Sequence, residues 1–183
     1  MIMNAPKRIF IALLISESLQ REILNWEKSN LKLKNLPVRW IAGKNLHLTL
    51  VSPWLETDIE SVFGKLRDIV KGFKPFEIEF VKVCFGPNKN NPRLIWAEGA
   101  SCDNLASLKE KLENIFGVKN ENRPWLPHLT LARFKPKDFA AFSIKKLDEK
   151  VSWKEFVDNV AIMESKLSSS GTEYEIMREV KLC

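Results

Sequence analysis

Near its start the chain carries an unbroken apolar run, Ile9 to Ile15, that stops abruptly at Ser16-Glu17. A short run bounded in this way reads as a buried strand. Behind it, Leu19, Ile23 and Trp26 recur at helical spacing and predict a helix over 17–30. A second helical pattern covers 57–70, where Thr57-x-x-Glu60 has the form of a capping box and Ile59, Val62, Phe63, Leu66, Ile69 and Val70 make an apolar stripe. A third covers 102–116, with Leu105, Leu108, Leu112 and Ile115 on one face and Gly117 as terminator. The segment 136–149 reads as a weaker helix. Strand patterns occupy 76–85 and 156–165, and a hairpin through Ser168-Ser169-Ser170-Gly171 returns as a strand over 173–182. Between the halves, Pro87-Asn88-Lys89-Asn90-Asn91-Pro92 is either a linker or a hairpin loop.

Laid against itself, the chain repeats. His47-Leu48-Thr49-Leu50 returns as His128-Leu129-Thr130-Leu131, 81 positions later, and these copies hold the only two histidines. The surroundings match: Arg8-Ile9-Phe10-Ile11 aligns with Arg93-Leu94-Ile95-Trp96, and each leads through a helical pattern and a loop to its HLTL strand. Two copies of β-α-β-α-β predict one bilobal domain spanning 1–183, with repeat halves of about 7–86 and 92–166 and the C-terminal strand added. The expected fold class is α+β: two pseudo-symmetric lobes, each an antiparallel sheet with helices on its outer face, and a cleft between them.

A strand sends alternate side chains to opposite faces. In each HLTL, His and Thr therefore share a face, ~7 Å apart along the strand, and both Leu residues point into a core. If the lobes face each other, His47, Thr49, His128 and Thr130 converge. Two imidazoles supply one general base and one general acid near neutral pH. Two threonine hydroxyls supply neutral donors for non-bridging phosphate oxygens. The set suits in-line displacement at phosphorus and needs neither a metal nor a cofactor. A single HxT would read instead as a half-buried histidine satisfied by a neighbour; the repetition in matching contexts favours chemistry. Zinc would need further ligands, and no residues fall at a suitable spacing.

The balance of 29 Lys+Arg against 23 Asp+Glu, net +6, allows an anionic partner such as RNA without demanding one. Hydrophobic content of 45% excludes a disordered chain, and no stretch approaches a membrane span. Lys7-Arg8 before the first apolar run resembles the start of a secretion signal, but the run is short and lacks a cleavage site, so the strand reading stands. Cys84, Cys102 and Cys183 are odd in number and scattered, which predicts free thiols in a reducing cytoplasm. A monomer is expected. Candidates for RNA contact are the basic and aromatic residues near the motifs: Arg39, Trp40, Lys44, Arg123, Trp125, Arg133 and Lys135.

At Arg8-Ile9-Phe10-Ile11-Ala12, at Val38-Arg39-Trp40 through Leu50, at Arg93-Leu94-Ile95-Trp96, at Pro127 through Arg133 and at Ser165…Gly171-Thr172-Glu173-Tyr174, the sequence resembles the two-histidine phosphoesterase superfamily. Within it, the chain is similar to the bacterial and archaeal RNA 2′,3′-cyclic phosphodiesterases, historically named 2′-5′ RNA ligases. The resemblance implies hydrolysis of RNA ends bearing a 2′,3′-cyclic phosphate to 2′-phosphomonoesters, with reversible 2′-5′ ligation by the same groups. It implies His47 and His128 as the acid and base, in an order that two identical motifs do not decide, and Thr49, Thr130 and Arg133 at the phosphate. Strand parity sets a condition on Arg133: it lies opposite to His128 and Thr130 unless the strand ends or bulges after Thr130. The segment Val51-Ser52-Pro53-Trp54 departs from the family pattern beside the expected cleft and bears on substrate preference. Two alternatives accompany this reading. One is the same chemistry on ADP-ribose 1″,2″-cyclic phosphate or a small cyclic nucleotide, and the other is a non-catalytic RNA-binding module.

Overall fold

The computed structural model describes residues 5–117, 125–168 and 171–183. In chain order the elements are β1 (Lys7–Leu14), α1 (Glu17–Ser29), β2 (Arg39–Trp40), β3 (His47–Glu56), α2 (Ile59–Val70), β4 (Phe76–Gly86), β5 (Leu94–Gly99), α3 (Asp103–Phe116), β6 (His128–Arg133), β7 (Asp148–Val157), β8 (Asn159–Ser168) and β9 (Gly171–Lys181). They form two sheets, ordered β3-β1-β8-β9 and β2-β6-β5-β4-β7, in which the paired strands run antiparallel. The mixed α+β, two-sheet architecture agrees with the sequence expectation.

The sheets do not follow the two sequence repeats. The first repeat gives β1 and β3 to the four-stranded sheet but sends β4 to pair with β5 and β7. The second gives β5 and β6 to the five-stranded sheet but sends β8 to pair with β1. Helices cross over too. Trp26 of α1 meets Trp153 of β7 edge to face, and Ser16, the α1 N-cap, donates to Glu155 of β7 through both its backbone N–H and its hydroxyl. Each lobe is thus completed by the other half of the chain.

The helical stripes bury Leu19 and Ile23 on α1, Val62, Leu66 and Val70 on α2, and Leu105, Leu108 and Leu112 on α3, but Ile115, expected on the α3 face, is exposed in the last turn of that helix. They share one core with Leu48, Leu50, Leu129 and Leu131 from the two repeated strands. Gly117 ends α3 in the left-handed region at φ 66°, where a side chain would be strained. The Asn/Pro stretch 87–92 is the hairpin loop between β4 and β5, closed where the Arg93 N–H donates to the Gly86 carbonyl.

Three local expectations are corrected. The N-cap of α2 is Asp58, whose side chain accepts from the Ser61 N–H, so the Thr57–Glu60 capping box does not form. Glu56 takes the Thr57 and Asp58 N–H groups instead, and Glu60 pairs with Arg178 on β9. The segment 136–149 is not a helix. A 3₁₀ turn, Pro136–Ala141, gives way to β7, and the rings of Phe85, Phe134, Phe139 and Phe142 cluster around that turn. Finally, the strand expected over 156–165 is the meeting of two, with β7 ending at Val157 and β8 starting at Asn159.

Candidate active site

Both motif histidines are aimed in the same way. The His47 Nδ1–H donates to the Asn45 carbonyl at 2.7 Å, and the His128 Nδ1–H donates to the Leu126 carbonyl at 2.9 Å. A carbonyl can only accept, so each Nδ1 carries a proton and donates it in that bond, which fixes the orientation of both rings. The acceptors, like the histidines, are 81 positions apart. One cleft of about 840 Å³ is lined by His47 and Thr49 from β3 and by His128 and Thr130 from β6. Chain segments far apart in sequence therefore bring four polar side chains to one space.

The repeat extends to an irregularity in both strands. Ala12 faces Thr49 and Ile11 faces Val51, so β3 carries an extra residue, Leu50. Trp96 faces Thr130 and Ile95 faces Ala132, so β6 carries an extra residue, Leu131. Each bulge turns two successive residues into the core, Leu50 with Val51 and Leu131 with Ala132, and reverses the parity of the residues beyond it. The condition on Arg133 is met: it faces Leu94 across the ladder and lines the cleft. Ser52 occupies the matching position on β3 and also lines the cleft. Each bulge carbonyl is held from the other repeat. The Ile41 N–H donates to the Leu131 carbonyl at 2.8 Å, and Lys109 Nζ donates to the Leu50 carbonyl at 2.9 Å. Lys109 is buried, pairs with Glu113 and stands 5.0 Å from the centre of the Trp125 ring, which forms part of the cleft wall.

The two histidines differ in what surrounds them. His47 packs against Phe10 at 5.0 Å and edge-on to Tyr174 at 4.8 Å between ring centres. Burial pushes its pKa down to about 4, and the charges of Arg133 and His128 add to the fall against the opposing Asn45 hydrogen bond. It is neutral at pH 7. His128 packs against Trp96 at 4.5 Å and faces Glu98 across the ladder, where His47 faces Leu14. Behind Trp96 runs a polar chain: its indole N–H donates to Cys84 Sγ at 3.0 Å, the thiol donates to Glu98 at 3.1 Å, and Lys82 pairs with Glu98. Burial and the Glu98 carboxylate hold the Cys84 thiol up at about 11, so it stays protonated and serves as a bridge. Burial would raise the Glu98 pKa, but the bonds from Lys82 and Cys84 prevail and hold it below the usual carboxylate range.

Of the residues singled out from sequence, His47, Thr49, His128, Thr130, Arg133 and Trp125 line this cleft. Trp40 instead packs against the core, and Arg39 is exposed on the edge strand β2, beside Arg133. Lys44 and Lys135 are not on the cleft wall, and Arg123 lies outside the described residues. Arg8, Phe10, Arg93, Trp96, Glu98 and Tyr174 also line it without having been singled out. The signals for the two arginines were that each begins an apolar strand and that each opens a stretch carrying the family resemblance. The ladders also correct their alignment: Ala12 and Trp96 both face a motif threonine, so Arg8 corresponds to Pro92 rather than to Arg93. Among the described residues, no three His, Cys, Asp or Glu side chains are grouped to hold a metal ion, and no helix is long and apolar enough to cross a membrane.

Two antiparallel sheets that each bring an HxT strand to one cleft have the layout of a two-histidine phosphoesterase. The 2′-5′ RNA ligase superfamily model matches residues 17–168, and the chain belongs to that family. It is 28% identical over 183 residues to the RNA 2′,3′-cyclic phosphodiesterase of Methanothermobacter thermautotrophicus, covering 96% of this chain and 98% of that one. It is 31% identical over 109 residues to the Bacillus subtilis protein of the same description, covering 55% and 60%. Crystalline E. coli LigT in its apo form has the same fold, with a TM-score of 0.74 at 21% identity over 98% of this chain and 99% of LigT.

Proposed function

We propose that this chain hydrolyses RNA 2′,3′-cyclic phosphate ends to 2′-phosphomonoesters by acid–base catalysis between His47 and His128. One observation carries the reading: two imidazoles, each fixed by an Nδ1–carbonyl bond, line a single cleft. The names of the archaeal and bacterial relatives support the substrate class. His47 is neutral at pH 7, so its Nε2 lone pair accepts the proton of a water. That water attacks phosphorus opposite the ribose O3′, the P–O3′ bond breaks, and His128, entering the step as the imidazolium with a second proton on Nε2, gives that proton to the departing O3′. The P–O2′ bond is not in line and survives. Thr49 and Thr130 donate to the non-bridging oxygens, and the Arg133 cation balances the charge that builds there. With the 5′-hydroxyl of a second RNA in place of water, the same proton transfers make a 2′-5′ linkage, and their reversal cleaves it.

The test is an oligonucleotide ending in a 2′,3′-cyclic phosphate, assayed in EDTA. Wild type is expected to turn it over to the 2′-phosphate, and His47→Ala and His128→Ala each to lose at least about a hundredfold. Activity abolished by the chelator would overturn metal-independent catalysis. Tight RNA binding with no turnover would make the protein a binding module, and unfolding of either variant would make its histidine structural.

A further inference from the structure

Among the described residues three arginines line the cleft, and the proposed mechanism uses one of them, Arg133, at the reacting phosphate. Arg133 stands just past the bulge that follows Thr130. Arg8, on β1, and Arg93, immediately before β5, line the cleft and are exposed to solvent. Among the described residues neither has a carboxylate partner. Among the described residues the one carboxylate on the cleft wall, Glu98, is already paired with Lys82. A terminal cyclic phosphodiester brings a single negative charge, which leaves two cations of the cleft unmatched.

Position along the strands places Arg8 and Arg93 past the threonine pair, Arg93 one residue beyond Leu94, the ladder partner of Arg133. Arg93 is three residues from Trp96, the ladder partner of Thr130, or ~10 Å along β5. Arg8 is four residues from Ala12, the partner of Thr49, or ~13 Å along β1. Both therefore lie beyond the threonine pair, on the side away from the histidines. Resting on the proposed function, we propose that Arg8 and Arg93 form a second anion subsite that takes the phosphodiester preceding the terminal nucleotide. The cleft then selects an RNA chain end over a cyclic mononucleotide, because only the chain supplies a second phosphate. A guanidinium offers paired N–H donors to phosphate oxygens, which suits both residues to that task.

The experiment compares three substrates: a 2′,3′-cyclic mononucleotide, a dinucleotide with the same cyclic end, and that dinucleotide with an uncharged methylphosphonate at the internal linkage. Arg8→Gln and Arg93→Gln are each expected to lower the dinucleotide-to-mononucleotide ratio of kcat/KM about tenfold. The methylphosphonate should reproduce that loss in wild type, and each variant should lower the salt slope of binding by about 0.7. Binding of the 2′-phosphorylated dinucleotide product to the same proteins reads the subsite independently of turnover. A wild type that turns over no cyclic end but still binds the product in an arginine-dependent way would defeat the hydrolase reading and leave the subsite standing. An unchanged ratio, or equal losses on charged and uncharged linkages, would overturn the subsite. ADP-ribose 1″,2″-cyclic phosphate carries a diphosphate of similar chemistry, and an arginine-dependent preference for it over the dinucleotide would overturn the RNA assignment.

Discussion

The two motif copies are identical, yet their imidazoles are not equivalent. His47 is enclosed by Phe10 and Tyr174 and faces Leu14, and burial together with the Arg133 charge keeps it neutral down to about pH 4. The pH dependence of kcat/KM reports ionisations of the free enzyme. The acid limb is therefore expected near pH 4, well below the ordinary histidine value of about 6.5. Arg133→Gln removes a cation that disfavours the imidazolium, so it should move that limb to higher pH while lowering the rate; an unmoved limb would detach Arg133 from His47. Stability responds to the same depressed pKa. Between about pH 6.5 and 4 the unfolded chain holds a proton on His47 that the folded chain lacks, so stability contributed by this residue falls as pH drops through that window. From pH 7 to pH 4.5 the urea midpoint of wild type should therefore fall relative to that of His47→Gln.

At the scale of elements, the bulges and the strand behind His128 set the geometry. Gly86 lies under Trp96: a Cβ there would fall 2.3 Å from Trp96 Cε2, far inside contact distance. Gly86→Ala must displace an indole that packs on His128 and bonds to Cys84. The expected result is a folded protein with kcat lowered on the order of tenfold to a hundredfold; wild-type kcat with a normal near-ultraviolet spectrum would show that Trp96 does not position His128. The elements also show where pattern reading fails. On β7, Val151, Trp153 and Val157 alternate inward, but Glu155 is buried among them and Phe156 is exposed. That inversion hides a strand, because the Glu155 carboxylate is accommodated by two bonds from Ser16 at the start of α1, 139 positions away. The capping of α2 failed for a related reason: Thr57 and Asp58 compete for one role, and the bonds from Glu56 decide it.

For the molecule as a whole, the exchange of β4 and β8 ties the lobes together. Neither sheet can be completed by one repeat, since β1 needs β8 and β5 needs β4. Lys109 and Ile41 add bonds from each repeat to the other's bulge. A structure built in this way has no half that closes its own core. Denaturant unfolding is expected as a single transition, with tryptophan fluorescence and far-ultraviolet circular dichroism coincident. Two separated transitions would mean that the lobes fold independently in spite of the exchange.

The residues of the chain by themselves determined the paired HxT strands, the three helices and the inward leucines, because each is written in local periodicity and in a repeat that needs no partner to be seen. Arg133 was legible only conditionally: parity placed it on the wrong face, and a bulge at Leu131 turned it round. Only the tertiary structure decided which half completes which sheet, that Arg8 and Arg93 reach the same cleft, and that His47 rather than His128 is walled in by Phe10 and Tyr174. Those outcomes depend on contacts between segments tens to more than a hundred positions apart, and such pairings are settled by which faces can be buried together rather than by any pattern within one segment.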